Sequence, residues 1–308
     1  MASLLRMNRS SSPLLRPVDA LALVFVSTLF LLACAALVRG VPGAQPAAIR
    51  LLWSAALILA MRAVGRADSG RLAGLIAACA PIGLAPVDWA LDPIVDLLNP
   101  TLRDGALLAA DRFLFRETPS VLLQDVLTPG LTEALLIGYL SYFTLLLAPI
   151  VLLWLRRDDE SAEGYVRLLT ALFVTNLSFY ALVPAVGPRF ALAAVFAQPI
   201  HGVWLGDWIR GLFLDTPFFR DCFPSGHAAG TLLALIVSFK KLRGWFFVTL
   251  PLGALCISAT VLCRYHYGVD LLFALPLAAF AWRASRVLVP GALAELFPAA
   301  RGAVREER

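Results

Sequence analysis

Residues 18–38 read VDALALVFVSTLFLLACAALV, an apolar run whose length decides the class of the fold. A helix rises about 1.5 Å per residue and the hydrocarbon core of a bilayer is about 30 Å thick, so about 20 such residues cross it. Arg6, Arg9 and Arg16 precede the run in the manner of a secretory signal. The run nevertheless exceeds the roughly 7–15 apolar residues of a signal segment, and it reads as a first transmembrane helix. Comparable stretches follow at 47–64, 72–89, 131–155, 165–183, 225–239, 245–262 and 269–289. The expectation is an all-α polytopic membrane helix bundle of about eight transmembrane helices, with about six as the lower bound.

Composition points the same way. Of 308 residues 60% are hydrophobic and 15% charged, with a mean hydropathy of +0.80, well beyond what a soluble domain needs to fill its core. The net charge of +5 is no nucleic-acid footprint, because the basic residues form short clusters between apolar runs. Arg50 and Arg62 sit at the ends of the second stretch, where long side chains reach the interface, and the third holds Pro81 and Pro86 and ends in Asp88. Residues 91–130 mix Asp, Arg and Pro with Leu and Phe, a pattern expected to lie on the membrane surface. Cys34, Cys79, Cys222, Cys256 and Cys263 show no CxxC spacing, so no thiolate metal site is expected; a Cys222–Cys263 disulfide is left open.

Each crossing switches sides, and cytoplasmic loops collect Lys and Arg. With eight crossings the N-terminus, the 62–71, 156–167 and 240–243 connections and the tail from Arg283 share one side. They hold 17 of the 26 basic residues, and acidic residues divide 9 against 12 the other way. That side, with both termini, reads as cytoplasmic. The connections at 184–224 and 263–268 then face the exoplasm, which in a bacterium is the periplasm, and the expected location is a bacterial inner membrane.

Two of the three histidines stand in informative company: Pro224-Ser225-Gly226-His227 and Arg264-Tyr265-His266-Tyr267-Gly268-Val269-Asp270. A third element, Pro184-Ala185-Val186-Gly187-Pro188-Arg189, closes the preceding helix, and the parity of crossings puts all three on the exoplasmic face. A phosphate ester is an anion that must be neutralised before a nucleophile can approach. Arg189 and Arg264 offer planar forks, while Ser225 and Gly226 at a helix start offer a hydroxyl and unpaired N–H groups. One histidine can then attack phosphorus while the other protonates the departing oxygen. His266 and Asp270 are four residues apart, so a helical turn sets the carboxylate against the ring and frees its far nitrogen. This makes His266 the nucleophile and His227 the acid. A metal held by His227, His266 and Asp270 is the chemical rival, disfavoured by two arginines beside it; neither metal nor cofactor is expected. His201, near Trp204, Trp208 and Phe218, reads as an interfacial side chain. Tyr180, Asp221, Tyr265 and Tyr267 are further lining candidates without an assigned role.

The three elements resemble those of the type 2 phosphatidic acid phosphatase superfamily, patterned KxxxxxxRP, PSGH and SRxxxxxHxxxD. PSGH and HxxxD match in full. Leu182 stands in place of the Lys, Pro188 precedes Arg189 instead of following it, and Thr260 stands six before His266, whose nearest arginine is Arg264. These shifts, together with Asp111-Arg112-Phe113-Leu114-Phe115, Thr118-Pro119 and Tyr139-Leu140-Ser141-Tyr142, are similar to the inositolphosphotransferase branch, which includes fungal inositol phosphorylceramide synthase. The resemblance covers residues 105–285 or so. It implies a phosphohistidine at His266, orientation by Asp270, protonation by His227 and a phosphate cradle of Ser225, Gly226, Arg264 and Arg189, without metal.

The expected organisation is 1–104 as transmembrane helices without a motif, 105–289 as the catalytic membrane domain and 290–308 as a cytoplasmic tail. Expected partners are membrane lipids, a lipid phosphate or phospholipid donor with or without a lipid hydroxyl acceptor, and no nucleic acid; the oligomeric state is not legible. Water as acceptor makes a phosphatase and a lipid hydroxyl a transferase, and both stay open. The reading from another class is a transporter or flippase of anionic lipids, for which the His266–Asp270 pair has no use.

Overall fold

The computed structural model describes residues 15–68, 70–204, 208 and 220–288; Arg6, Arg9, Phe218 and the 290–308 tail lie outside the described residues. Among the described residues the chain is helical, without strands. The α-helices of seven residues or more are α1 (Pro17–Val38), α2 (Ala44–Ala67), α3 (Arg71–Ala78), α4 (Asp92–Leu98), α5 (Asp104–Phe115), α6 (Pro129–Leu140), α7 (Tyr142–Leu155), α8 (Asp159–Leu182), α9 (Gly226–Lys241), α10 (Arg243–Leu262) and α11 (Gly268–Leu288). Between α3 and α4 the chain winds as a 3₁₀-helix over Ala80–Ala90. Pro81 and Pro86 lie in that stretch, where each removes a donor that an α-helix would need.

Among the described residues six spans are long and apolar enough to cross a membrane: Pro17–Val38, Ala44–Ala67, Arg71–Ala90, Asp159–Leu182, Arg243–Leu262 and Gly268–Arg286. The predicted 131–155 helix is divided into α6 and α7, bent by 41°, and makes a seventh span if the pair is one. The predicted 225–239 span is α9, which has 16 residues and so rises about 24 Å, less than a full hydrocarbon width. It still runs between the two ends of the bundle, since Gly226 lies against Asn176 and Tyr180 near the end of α8, and Lys241 sits 3.8 Å from Asp158 at its start. Parity is kept even though α9 is short.

Helix α8 serves two cores. Its Leu177 and Tyr180 pack with Leu51, Ile58, Val87 and Ile94 of the first helices. Its Tyr165, Leu168 and Leu172 pack with Leu146, Leu153, Leu233 and Ala278 of α7, α9 and α11. Arg71 pairs with Asp159 at 2.8 Å and Arg16 with Glu163 at 2.5 Å. The segments that the count of basic residues grouped on one side therefore meet at one end, and the motif loops lie at the other. Helix α5 is amphipathic, with an unusual sense: Phe113 is 88% exposed, whereas Asp104 and Asp111 are buried.

Candidate active site

Three loops meet where α8 ends, α9 begins and α10 passes to α11. Gly187 has φ +81°, and a Cβ there would lie 2.5 Å from the Tyr265 carbonyl, so only glycine lets the 183–189 loop approach so closely. The Arg189 amide donates to the Arg264 carbonyl at 2.9 Å. Arg264 itself has φ +67°, a left-handed conformation that costs a non-glycine residue free energy. Past that turn, the His266 amide reaches back to the Thr260 carbonyl at 2.7 Å.

Two aspartates on the inward face of α5 hold these loops. Asp104 accepts from the amides of Val186 (3.1 Å) and Gly187 (2.9 Å) and from the Tyr267 hydroxyl (2.9 Å). Asp111 accepts from the amides of Gly268 (3.0 Å) and Val269 (2.8 Å), unpaired donors of the first turn of α11 at its positive dipole end. Burial pushes the Asp111 carboxyl up, and those two donors pull it back only in part. Asp270, the third residue of α11, accepts the Tyr267 amide at 2.9 Å, as the acidic member of a capping box does. Neither Asp104 nor Asp111 is a site residue expected from the sequence. Their signal was two acids seven residues apart, one helical face, in a helix otherwise apolar but for Arg112.

His266 Nδ1 lies 2.5 Å from the Cys222 carbonyl and 3.3 Å from Asp270 Oδ2. A carbonyl can only accept, so Nδ1 carries a proton, and in the neutral ring the lone pair is on Nε2. The tautomer assigned above to Asp270 is thus held first by a backbone oxygen, which no side-chain pattern displays. The Cys222 thiol donates to the same carboxylate oxygen at 3.0 Å, and burial, reinforced by Asp270, pushes the thiol well up.

The ring of His227 lies 6.3 Å from that of His266. Tyr139 stacks on His227 at 4.5 Å, Tyr142 lies tilted against it at 4.2 Å, and the Tyr142 hydroxyl donates to the Gly226 carbonyl at 3.2 Å. Ser225 is fully buried and caps α9, its Oγ accepting the Ala228 amide at 3.2 Å. A Cβ on Gly226 would come within 2.6 Å of Asn176 Nδ2, so the close approach of α8 already demands glycine there.

The arginines divide. The Arg264 guanidinium lies 3.8 Å over Phe196 and donates through Nη2 to the Gln198 carbonyl at 2.9 Å, while its Nε is buried without a hydrogen bond. The Arg189 guanidinium lies 5.3 Å over Tyr265, which stacks on Tyr139 at 4.3 Å, so an aromatic chain links Arg189 to His227. Burial pushes the Asp221 carboxyl up, and His266 and Arg189 draw it back in part. The first helices reach this edge too. Asp88, Leu91, Asp92, Tyr180, Arg220 and Asp221 enclose about 10 Å³, room for one water.

Among the described residues one set has metal-like spacing, Cys222, His266 and Asp270, whose ligand atoms lie within 4.8 Å of one another. It differs from the set weighed in the sequence by having the thiol in place of His227. The five cysteines are free, and the Cys222 sulfur contacts Asp270 and the Tyr265 carbonyl. His201 is exposed, as are Trp204 (82%) and Trp208 (61%).

The PAP2 superfamily matches residues 105–284, more than half of the chain, and the chain belongs to that superfamily. It is similar to a PA-phosphatase related-family protein of Dictyostelium discoideum, 29% identical over 132 residues. That match takes in 42% of this chain and 23% of the relative, so the chain spans under a quarter of the curated relative's length. No solved structure matches it.

Proposed function

We propose that this member of the PAP2 superfamily is a membrane-embedded phosphatase or phosphotransferase that acts on a lipid-linked phosphate through His266. The observation that carries the reading is the Cys222 carbonyl at 2.5 Å from His266 Nδ1, which holds a proton on Nδ1 and makes Nε2 the nitrogen that bears the lone pair in the neutral ring.

Nε2 attacks phosphorus; the N–P bond forms, the P–O bond to the lipid oxygen breaks, and the departing oxygen takes its electron pair and a proton from His227. Water or a lipid hydroxyl then attacks phosphorus, His227 takes the proton back, and the N–P bond breaks. Ser225 Oγ accepts the Ala228 amide and keeps its own hydrogen to donate to a phosphate oxygen, with the first amides of α9 beside it. Arg189 and Arg264 neutralise charge, and the rings of Tyr139 and Tyr142 exclude water from His227.

The departures from the general motif, with the 111–115 and 139–142 segments, favour the inositolphosphotransferase branch and a phosphoinositol-type headgroup as cargo. The excess of basic residues at the far end of the bundle favours that end as cytoplasmic and the site as facing the outer leaflet. Purified protein incubated with lipid phosphates and phosphoinositides, with and without a ceramide acceptor, tests this by mass spectrometry of the products. Headgroup on ceramide identifies a transferase, and released phosphate or phosphoinositol a hydrolase. Lipids that stay intact while crossing the bilayer would sink the proposal in favour of a transporter. Activity is expected to survive a chelator; its loss would favour a metal at Cys222, His266 and Asp270.

A further inference from the structure

We infer that the end of the bundle remote from the histidines carries a binding site for an anionic glycerophospholipid, on the bilayer-facing side of the last turns of α2. A groove of about 390 Å³ lies there, lined by Leu15, Leu59, Arg62, Ala63, Arg66 and Ala67. Leu59 and Ala63 are one helical turn apart, as are Arg62 and Arg66, so an apolar row and a basic row run side by side toward the membrane surface. Leu59 is 49% exposed on a helix that qualifies as a membrane span, so its surroundings are acyl chains. An apolar wall rising into arginines is the order in which a phospholipid presents its chain and its phosphate.

The charge count makes the occupant anionic. Behind the groove, Asp19 is fully buried and accepts from Arg16 at 2.8 and 2.9 Å, with Arg62 Nε at 3.1 Å. Glu163 pairs with Arg16 at 2.5 Å and with Arg167 at 3.5 Å. Network and groove together hold four arginines against two carboxylates, a surplus of two positive charges beside hydrocarbon. Arg62 Nε is buried without a well-directed hydrogen bond, so its link to Asp19 is charge alone. Two guanidinium groups one turn apart repel, and a phosphate between them removes that cost. Residues 1–14, which precede Leu15, carry Arg6 and Arg9 and no acid, so they do not complement the groove. Basic pockets at the ends of transmembrane helices hold anionic headgroups by this combination of charge and apolar wall.

The test reconstitutes the whole chain into nanodiscs of phosphatidylcholine, alone or mixed with phosphatidylglycerol, then counts retained lipids by native mass spectrometry and measures Tm. The wild type is expected to retain phosphatidylglycerol preferentially and to melt higher in its presence. Arg66→Ala, an exposed position, should weaken that retention about fivefold, the worth of one basic residue at a lipid surface. Its turnover of a soluble phosphate ester in pure phosphatidylcholine should not change. Arg62→Gln should weaken retention at least as much. Equal retention of the two lipids, an Arg66→Ala protein that keeps phosphatidylglycerol like the wild type, or displacement of the lipid by inorganic phosphate would each overturn the inference.

Discussion

Buried carboxylates at the two ends of this bundle take different kinds of partner. At the site end Asp104, Asp111 and Asp270 accept backbone amides of the motif loops, joined by the Tyr267 hydroxyl, the Cys222 thiol and the His266 ring. At the far end Asp19 receives the guanidinium of Arg16 and the charge of Arg62. Amide donors are neutral and directional, so they fix where a loop runs and add no counter-charge to the carboxylate. Guanidinium groups neutralise the acid and tie helices together, with less demand on loop position. Damage at the first end should therefore show in turnover, and damage at the second in stability.

The largest effect expected is that of His266→Ala, a loss of about 10⁴-fold or more in turnover with the fold intact, since a covalent mechanism cannot bypass its nucleophile. His227→Ala should cost about 10² to 10⁴, less as the leaving group improves, read from rates on a series of phenyl phosphates of falling leaving-group pKa. A flat dependence on the leaving group would remove His227 from the role of acid. Asp270→Asn should fall between the wild type and His266→Ala, because the Cys222 carbonyl still holds Nδ1.

Asp111→Ala sharpens the contrast between the ends, since it frees the first amides of α11 and moves His266 by a fraction of an ångström. A drop of about 10- to 100-fold in kcat with little change in KM is expected. At the far end Asp19→Asn should leave kcat per folded molecule unchanged and lower Tm by several degrees, as removal of one partner from a buried ion pair costs about 3–5 kcal/mol. Reversed outcomes, Asp111 in Tm alone and Asp19 in kcat, would break the comparison.

The smallest effect is one of pH. Burial first, with Asp221 and Asp96 adding, pushes the Asp92 carboxyl up to about 6, against the opposing pull of Arg220. A raised carboxyl binds its proton more tightly in the folded state, so its contribution to stability is present below about 4 and is lost as pH rises through about 6. Asp92→Asn should gain Tm over the wild type at pH 7.5 and gain little at pH 4.5. A gain that does not depend on pH would contradict the assignment.

The bundle was legible because lipid imposes long apolar runs such as 18–38, and the gathering of His227 and His266 was legible because crossings alternate sides. Parity survived the bend at Ser141 and the 16 residues of α9 because it depends on which end a loop reaches, not on helix length. What stayed hidden was which distant group each of these residues meets, even where its segment carried a resemblance. The Cys222 carbonyl is backbone, and Tyr139 and Tyr142 meet His227 only through the packing of α6 and α7 on α9 and α10. Asp104 and Asp111 lie some 80 to 160 residues from the amides they hold, a pairing that no local spacing can reveal. Arg264, expected simply as a phosphate fork, also leans on Phe196 and Gln198 of a loop that offered no pattern.

The central claim is that Nε2 of His266 takes the phosphate. It is tested most directly by quenching the enzyme in alkali, which preserves phosphohistidine, during turnover of a lipid phosphate and locating the modified residue by peptide mass spectrometry. The account predicts a phosphate on His266 in the wild type, retained in His227→Ala with a good leaving group and absent from His266→Ala. Phosphate on His227, or sustained turnover with no phosphorylated residue at any time after mixing, would contradict it.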